Sequence, residues 1–242
     1  MSDLPSRFDA SSTPALAPSA VEWYASRLPR DQGTLLIAGG DAGRLITSLA
    51  QCGMHAHGVE GSASAVEHCS DRLRSIAPDT PVFRQDLGQL NLPFRYAGAL
   101  IAPDGWQWLD AARVDAAIAR VHAHLIAPGV LLLCGIVPDD AEHPPGAPLV
   151  EIERVKLDDA SVITRRSERR VDRDAQAIES IERYERRSGA KVIERADVTR
   201  RLCWRTPEEM LALVLATGFA QARIEDIAAT RPGRTYAIVA SL

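Results

Sequence analysis

The chain has 242 residues, 46% hydrophobic, 25% charged and 5% aromatic, a balance that excludes disorder, collagen and coiled coil as the main architecture. One large α/β domain or two small ones fit this length, and either buries a core without disulfide staples. The net charge of −4 gives no global basic field for nucleic acid or an anionic membrane, although residues 151–205 hold 15 of the 28 Lys and Arg against 12 acids.

The opening stretch, Met1 to about Ala17, carries Pro5, Pro14 and several serines and reads as an arm, followed by a short amphipathic helix over Pro18–Arg27. It has no basic segment leading into an apolar one, and no apolar run anywhere reaches the length of a membrane span. The four cysteines, Cys52, Cys69, Cys134 and Cys203, form no C-x-x-C or Cys/His cluster. Reduced thiols and a cytoplasmic location are therefore expected.

The apolar run Thr34–Ala38 meets Gly39-Gly40-Asp41-Ala42-Gly43 and then the helical pattern Leu45, Ile46, Leu49, Ala50, which reads as strand, glycine turn, helix. A second strand, His55–Val59, ends in Glu60-Gly61-Ser62, where Ser62 is positioned to cap a helix over Ala63–Ile76. Pro81–Asp86, Tyr96–Ala102 and Val130–Val137 make three more strands, with a helix over Asp110–Leu125 between the last two. Apolar strands alternating with amphipathic helices describe a parallel sheet covered on both faces.

Beyond Pro138 the pattern changes. Residues 149–205 carry sparse apolar positions among many charges, with Ser188-Gly189 placed for a hairpin turn, and read as an inserted antiparallel β lid with one wet face. The α/β pattern resumes at Thr206-Pro207-Glu208-Glu209, a capping box ahead of the helix Met210–Ala216. Two further strands, Ala222–Ile227 and Tyr236–Ala240, complete the sheet as an antiparallel pair. The chain thus divides into an arm and helix over 1–30, a core over 31–148 and 206–242, and the insert over 149–205.

A glycine turn between first strand and first helix lets backbone approach a ligand. Glu60 at the tip of the second strand suits the hydroxyls of a ribose, and Asp86 lies just past the third. Together these tips line the crevice where open α/β sheets bind ligands, and an adenosine-containing cofactor is the natural occupant.

In these residues the sequence resembles the class I S-adenosylmethionine-dependent methyltransferases, specifically small bacterial ones with an inserted antiparallel sheet. The likeness spans about residues 18–242. Thr34–Leu45 is similar to the family's first motif, Val59–Ser62 to its ribose-binding turn, Phe83–Leu87 to its adenine segment and Tyr96–Asp104 to its fourth strand and tip. His124–Leu131, Trp204–Glu209 and Thr217–Phe219 are similar to later elements. The resemblance implies a Rossmann-like seven-stranded sheet of order 3-2-1-4-5-7-6 with helices on both faces. It also implies S-adenosylmethionine as cofactor, held by Gly39, Gly40, Asp41, Gly43, Glu60, Gly61, Ser62, Gln85, Asp86, Leu87, Ala102 and Pro103.

Two positions depart from the family pattern. An acidic residue usual at the end of the first strand, where it helps hold the methionine amino group, is here Ile37, and the middle loop glycine is Asp41. Either Asp41 takes over that ammonium, or the fold is a degenerate methyltransferase kept for binding or assembly. An active enzyme would methylate oxygen or nitrogen of a small metabolite, in specialised biosynthesis as the resemblance implies. Asp104 and His143 are its candidate bases, and Trp23, Tyr24, Trp106 and Trp108 its candidate acceptor walls. His55, His57, His68, His122 and His124 have no metal-ligand spacing and suit ordinary surface or core roles. No aromatic-interleaved basic stretch for nucleic acid is present. Some relatives dimerise through the insert, so a homodimer is one assembly the resemblance implies.

Overall fold

A computed structural model of the chain describes residues 4–12, 16–30, 32–39, 42–139, 148–227 and 234–242. They form two compact units: Leu16–Val137 with Trp204–Leu242, and Met1–Ala15 with Pro138–Cys203. No helix of the described residues is long and apolar enough to cross a membrane.

The larger unit is a seven-stranded sheet built from β1 (Leu35–Ala38), β2 (Ala56–Glu60), β3 (Val82–Arg84), β4 (Tyr96–Ile101), β5 (Leu125–Val137), β10 (Gln221–Asp226) and β11 (Arg234–Ser241). Its order is β10-β11-β5-β4-β1-β2-β3. The pairings β1 with β2 and β4, β2 with β3, and β4 with β5 are parallel, and β11 runs antiparallel to both β5 and β10. This is the order expected from the motifs, with β11 as the reversed strand. One difference is the start of β5, five residues before Val130, directly after the helix.

Helices α2 (Pro18–Ala25), α3 (Ala42–Ala50), α4 (Ala63–Leu73), α5 (Pro103–Trp106), α6 (Ala111–His124) and α7 (Pro207–Ala216) accompany the sheet. Because strand side chains alternate, the central strands supply two cores. Leu36, Ala99, Ile101, Leu131 and Leu133 pack with Val114 and Ile118 of α6 and Met210 of α7. Leu35, Ile37, Leu100, Leu132 and Cys134 pack with Ala25 of α2, Leu45 and Leu49 of α3 and Cys69 of α4. Each large buried aliphatic side chain contributes about 1.5–3 kcal/mol.

The helix starts follow their sequence signals. Ser62 accepts from the Ala65 N–H at 3.1 Å, Asp110 from the Arg113 N–H at 2.9 Å, and Thr206 and Glu209 complete a reciprocal capping box. Histidines take structural work: His124 Nε2 accepts from the Leu92 N–H at 3.0 Å, and His57, its pKa lowered by burial, packs edge-on against Phe83, Phe94 and Tyr96.

The smaller unit is a four-stranded antiparallel sheet, β6 (Leu149–Lys156), β7 (Val162–Asp172), β8 (Ala177–Ser188) and β9 (Lys191–Cys203). Ser188 pairs with Lys191 around Gly189, whose φ of 57° a glycine adopts without strain. The opening arm forms helix α1 (Leu4–Ser12) and belongs to this unit. That corrects the division expected from sequence, in which residues 1–30 act together over the cofactor cleft. Leu4 and Phe8, one helical turn apart, are both 0% exposed and pack with Ile163 and Tyr184. The Phe8 ring meets Tyr184 edge-on at 5.7 Å, and the Arg165 guanidinium lies 4.7 Å over it. Asp9 accepts from Arg200 at 3.2 Å; Arg200 also pairs with Glu182 at 3.1 Å, which accepts the Tyr184 hydroxyl at 2.6 Å. On the other face of the sheet Val150, Ile152 and Ile181 are exposed.

Candidate functional site

The carboxyl ends of β1, β2, β3 and β4 lie side by side, and the loops that follow them carry most of the residues singled out by sequence. After β1, Gly39 has a φ of 70°, a conformation that only glycine adopts readily, and its N–H donates to the Val59 carbonyl at 3.2 Å. Gly40, Asp41 and His143 lie outside the described residues, as does the side chain of Asp104. Gly43 is buried at the start of α3, where a Cβ would stand 2.9 Å from the Cα of Cys69. Its lack of a side chain is thus required by the contact between α3 and α4.

At the tip of β2 the Glu60 side chain is drawn in, leaving the residue 8% exposed, while its carbonyl accepts the Gln85 N–H at 3.1 Å. Gly61 is exposed with open space about its Cα. The Ser62 hydroxyl caps α4, so its first role is structural.

The adenine-side residues hold their own loop. Gln85 bonds both backbone groups of Asn91, accepting at 2.8 Å and donating at 3.0 Å. Asp86 accepts from the Gly88 N–H at 2.8 Å and forms an ion pair with Arg113. Leu87 is buried at 5%. These three residues therefore shape the loop, and contrary to the sequence reading their side chains are committed to that task.

Ala102 follows β4 and starts α5, and its N–H donates to the Ala38 carbonyl at 3.2 Å; Pro103 takes the first helical position. A Cβ on Gly105 would come within 2.6 Å of the Ala38 oxygen, so a glycine is what allows α5 to sit on the β1 tip. Sequence reading missed this residue, although Asp104-Gly105 interrupts an otherwise aromatic segment.

Of the four aromatic candidates, Trp106 is corrected: it is 1% exposed, and its indole N–H donates to the Cys134 carbonyl, so it is part of the core and forms no wall. Trp108 is 41% exposed. Trp23 and Tyr24 meet edge-to-face at 5.4 Å, and the Arg27 guanidinium stacks 4.0 Å over Trp23. Tyr24 lies against the second core and donates a hydrogen bond to the Cys134 thiol, which burial pushes up to about 12 and so keeps neutral. Burial also raises the Tyr24 phenol, with Arg44 acting against the rise. Sequence offers no signal for this pairing of residues 24 and 134.

Ile37 is 0% exposed, in the cluster of Leu45, Ile46, Leu100 and Leu132. Among the described residues no group of His, Cys, Asp or Glu side chains is arranged to hold a metal ion.

No protein-family model matches the chain. An uncharacterized methyltransferase from Mycobacterium bovis is 27% identical over 108 residues, which are 45% of this chain and 42% of that protein; the match thus spans under half the length of the relative. A solved S-adenosylmethionine-dependent methyltransferase from Clostridium acetobutylicum superposes with a TM-score of 0.74 at 13% identity, covering 98% of this chain and 97% of that one. The S-adenosylmethionine-bound structure of CalS10, an amino pentose methyltransferase from Micromonospora echinaspora involved in calicheamicin biosynthesis, gives 0.72 at 19% identity over 100% and 97%.

Proposed function

The chain has the class I S-adenosylmethionine-dependent methyltransferase fold, and we propose that on it the protein transfers a methyl group from S-adenosylmethionine to oxygen or nitrogen of a small-molecule acceptor. The observation that carries this reading is Glu60, a carboxylate drawn in at the tip of β2 beside the left-handed Gly39 at the end of the neighbouring strand. A carboxylate there suits two ribose hydroxyls, and the glycine admits the ligand close to the backbone. These residues fit the nucleoside of the cofactor. Ile37, apolar and buried, does not fit the ammonium of its methionine end.

When bound, the cofactor supplies a sulfonium methyl open to in-line displacement. The work of the chain is to orient and to exclude water. Glu60 and Gly39 hold the nucleoside, and Ala102 and Pro103 bound it on the β4 side. Trp23, Tyr24 and the exposed Trp108 are the proposed apolar walls for the acceptor. Asp104 and His143 are the proposed groups to take its proton.

A metabolite acceptor in specialised biosynthesis is supported by the resemblance to CalS10. None of the four cysteines is in a disulfide, which supports our assignment to a reducing, cytoplasmic compartment. A homodimer through the smaller unit is supported by Val150, Ile152 and Ile181 on one exposed sheet face, set among the arginines and glutamates of β7; sedimentation of wild type against Ile152→Lys tests it.

Equilibrium titration with S-adenosylhomocysteine tests the central reading. Saturable binding at micromolar ligand is expected. No binding at millimolar ligand overturns it in favour of a non-catalytic binding or assembly protein on the same fold.

A further inference from the structure

A nucleoside gripped at the tip of β2, with its base toward β3, sends its 5′ substituent the other way, across β1 toward β4 and β5. The sheet face along that path is formed by Ile37, Ala102 and Cys134, which share one core cluster. Ile37 is fully covered, and Cys134 holds a neutral thiol engaged by the Tyr24 hydroxyl. None of these groups pairs with a cation.

The charge on this flank is positive. Arg44 lies in the first turn of α3, six residues after Ala38, and is the charged side chain that acts on the Tyr24 hydroxyl. That first turn holds no acidic residue. Arg44 therefore adds a full charge to the positive end of a helix, and both favour an anion.

The geometry points to a pocket that recognises the amino-acid end of its ligand through the carboxylate, by Arg44, with Ile37 denying the ammonium an ion pair. We infer that the chain takes adenosine thioethers and sulfoniums bearing a 5′-carboxyalkyl group with little regard for an α-amino group. This rests on the cofactor reading above and adds a selectivity that the reading does not require.

The test is calorimetric titration of the full chain with three probes: S-adenosylhomocysteine, its des-amino analogue 5′-(3-carboxypropylthio)-5′-deoxyadenosine, and 5′-methylthioadenosine, which lacks both charged groups. The first two are expected to bind within about threefold of each other and 5′-methylthioadenosine about tenfold or more weakly, the scale of one charge-assisted hydrogen bond. In Arg44→Gln the gap between the des-amino analogue and 5′-methylthioadenosine closes. Ile37→Asp, which supplies an anion, favours S-adenosylhomocysteine over the des-amino analogue by about tenfold.

A wild-type chain that binds the des-amino analogue about tenfold more weakly than S-adenosylhomocysteine overturns the inference and leaves the cofactor reading standing. Equal affinity for all three overturns the role of Arg44. Failure of all three at millimolar concentration overturns the cofactor reading, and the inference with it. The wild-type comparison needs no variant to fold.

Discussion

The indole N–H of Trp106 donates to the carbonyl oxygen of Cys134 over 2.6 Å, while the thiol of the same cysteine accepts the Tyr24 hydroxyl. One residue of β5 thereby anchors α5 through its backbone and α2 through its side chain. Trp106→Phe strands a buried carbonyl and should lower stability by about 1–3 kcal/mol, seen as a lower thermal midpoint. Nucleoside affinity should change less than about twofold, because the indole is in the core. A large loss of acceptor affinity with unchanged stability would contradict this placement.

Glu60 should act in the opposite sense. Glu60→Gln keeps the shape and removes the charge, so S-adenosylhomocysteine affinity should fall about tenfold to a hundredfold, the worth of charge-assisted hydrogen bonds to two hydroxyls. Circular dichroism and the thermal midpoint should change little. Unaltered binding in this variant would remove the observation on which the functional reading stands.

Gly43 and Gly61 separate packing from ligand approach. Gly43→Ala forces a Cβ to within 2.9 Å of the Cys69 backbone, and such overpacking should cost about 1–3 kcal/mol in denaturant unfolding. Gly61→Ala meets open space and should leave stability within about 0.5 kcal/mol, so any loss of nucleoside affinity there reports a contact with the ligand.

Docking of α1 should depend on pH through Asp9. Burial raises its carboxyl above the ordinary value of 3.8, against the pull of Arg200 and Arg165. A carboxyl raised in the docked state favours docking fully below its undocked pKa, and that contribution is lost as pH rises through the docked value. Hydrogen exchange of α1 amides, corrected for intrinsic rates, should slow on going from pH 7 toward about 4. With 42% of its side chain in water, the effect should be modest, roughly threefold. Asp9→Asn should flatten the dependence, and faster exchange on acidification in the wild type would refute the argument.

The sheet was legible because its strands are apolar throughout and each is closed by a turn signal: Gly39, Glu60-Gly61-Ser62, Asp86, Pro103. The capping boxes and N-caps were legible for the same local reason. The tryptophan pair was not. Trp106 and Trp108 look alike two residues apart, but at the end of a single helical turn this spacing points them to different sides, one into the core and one to water. Nor could chain order show that Gln85 and Asp86 are occupied, since their partners Asn91 and Arg113 come from the following loop and from α6. The affiliation of α1 was half visible: Leu4 and Phe8 stand four apart on one helix face, and Pro5 at its start is compatible with helix, but their partners lie in strands far along the chain.

That distance has a consequence for how the protein is made. Asp9 and Arg200, bonded in the finished molecule, are separated by 191 positions. A ribosome extending the chain from its amino end releases α1 long before β7, β8 and β9 exist. The first helix must keep an apolar stripe of Leu4 and Phe8 waiting through synthesis of nearly the whole methyltransferase core. A chain arrested before β9, or one from which the insert has been deleted, would carry that stripe uncovered, and a holding chaperone would find in it a ready handle.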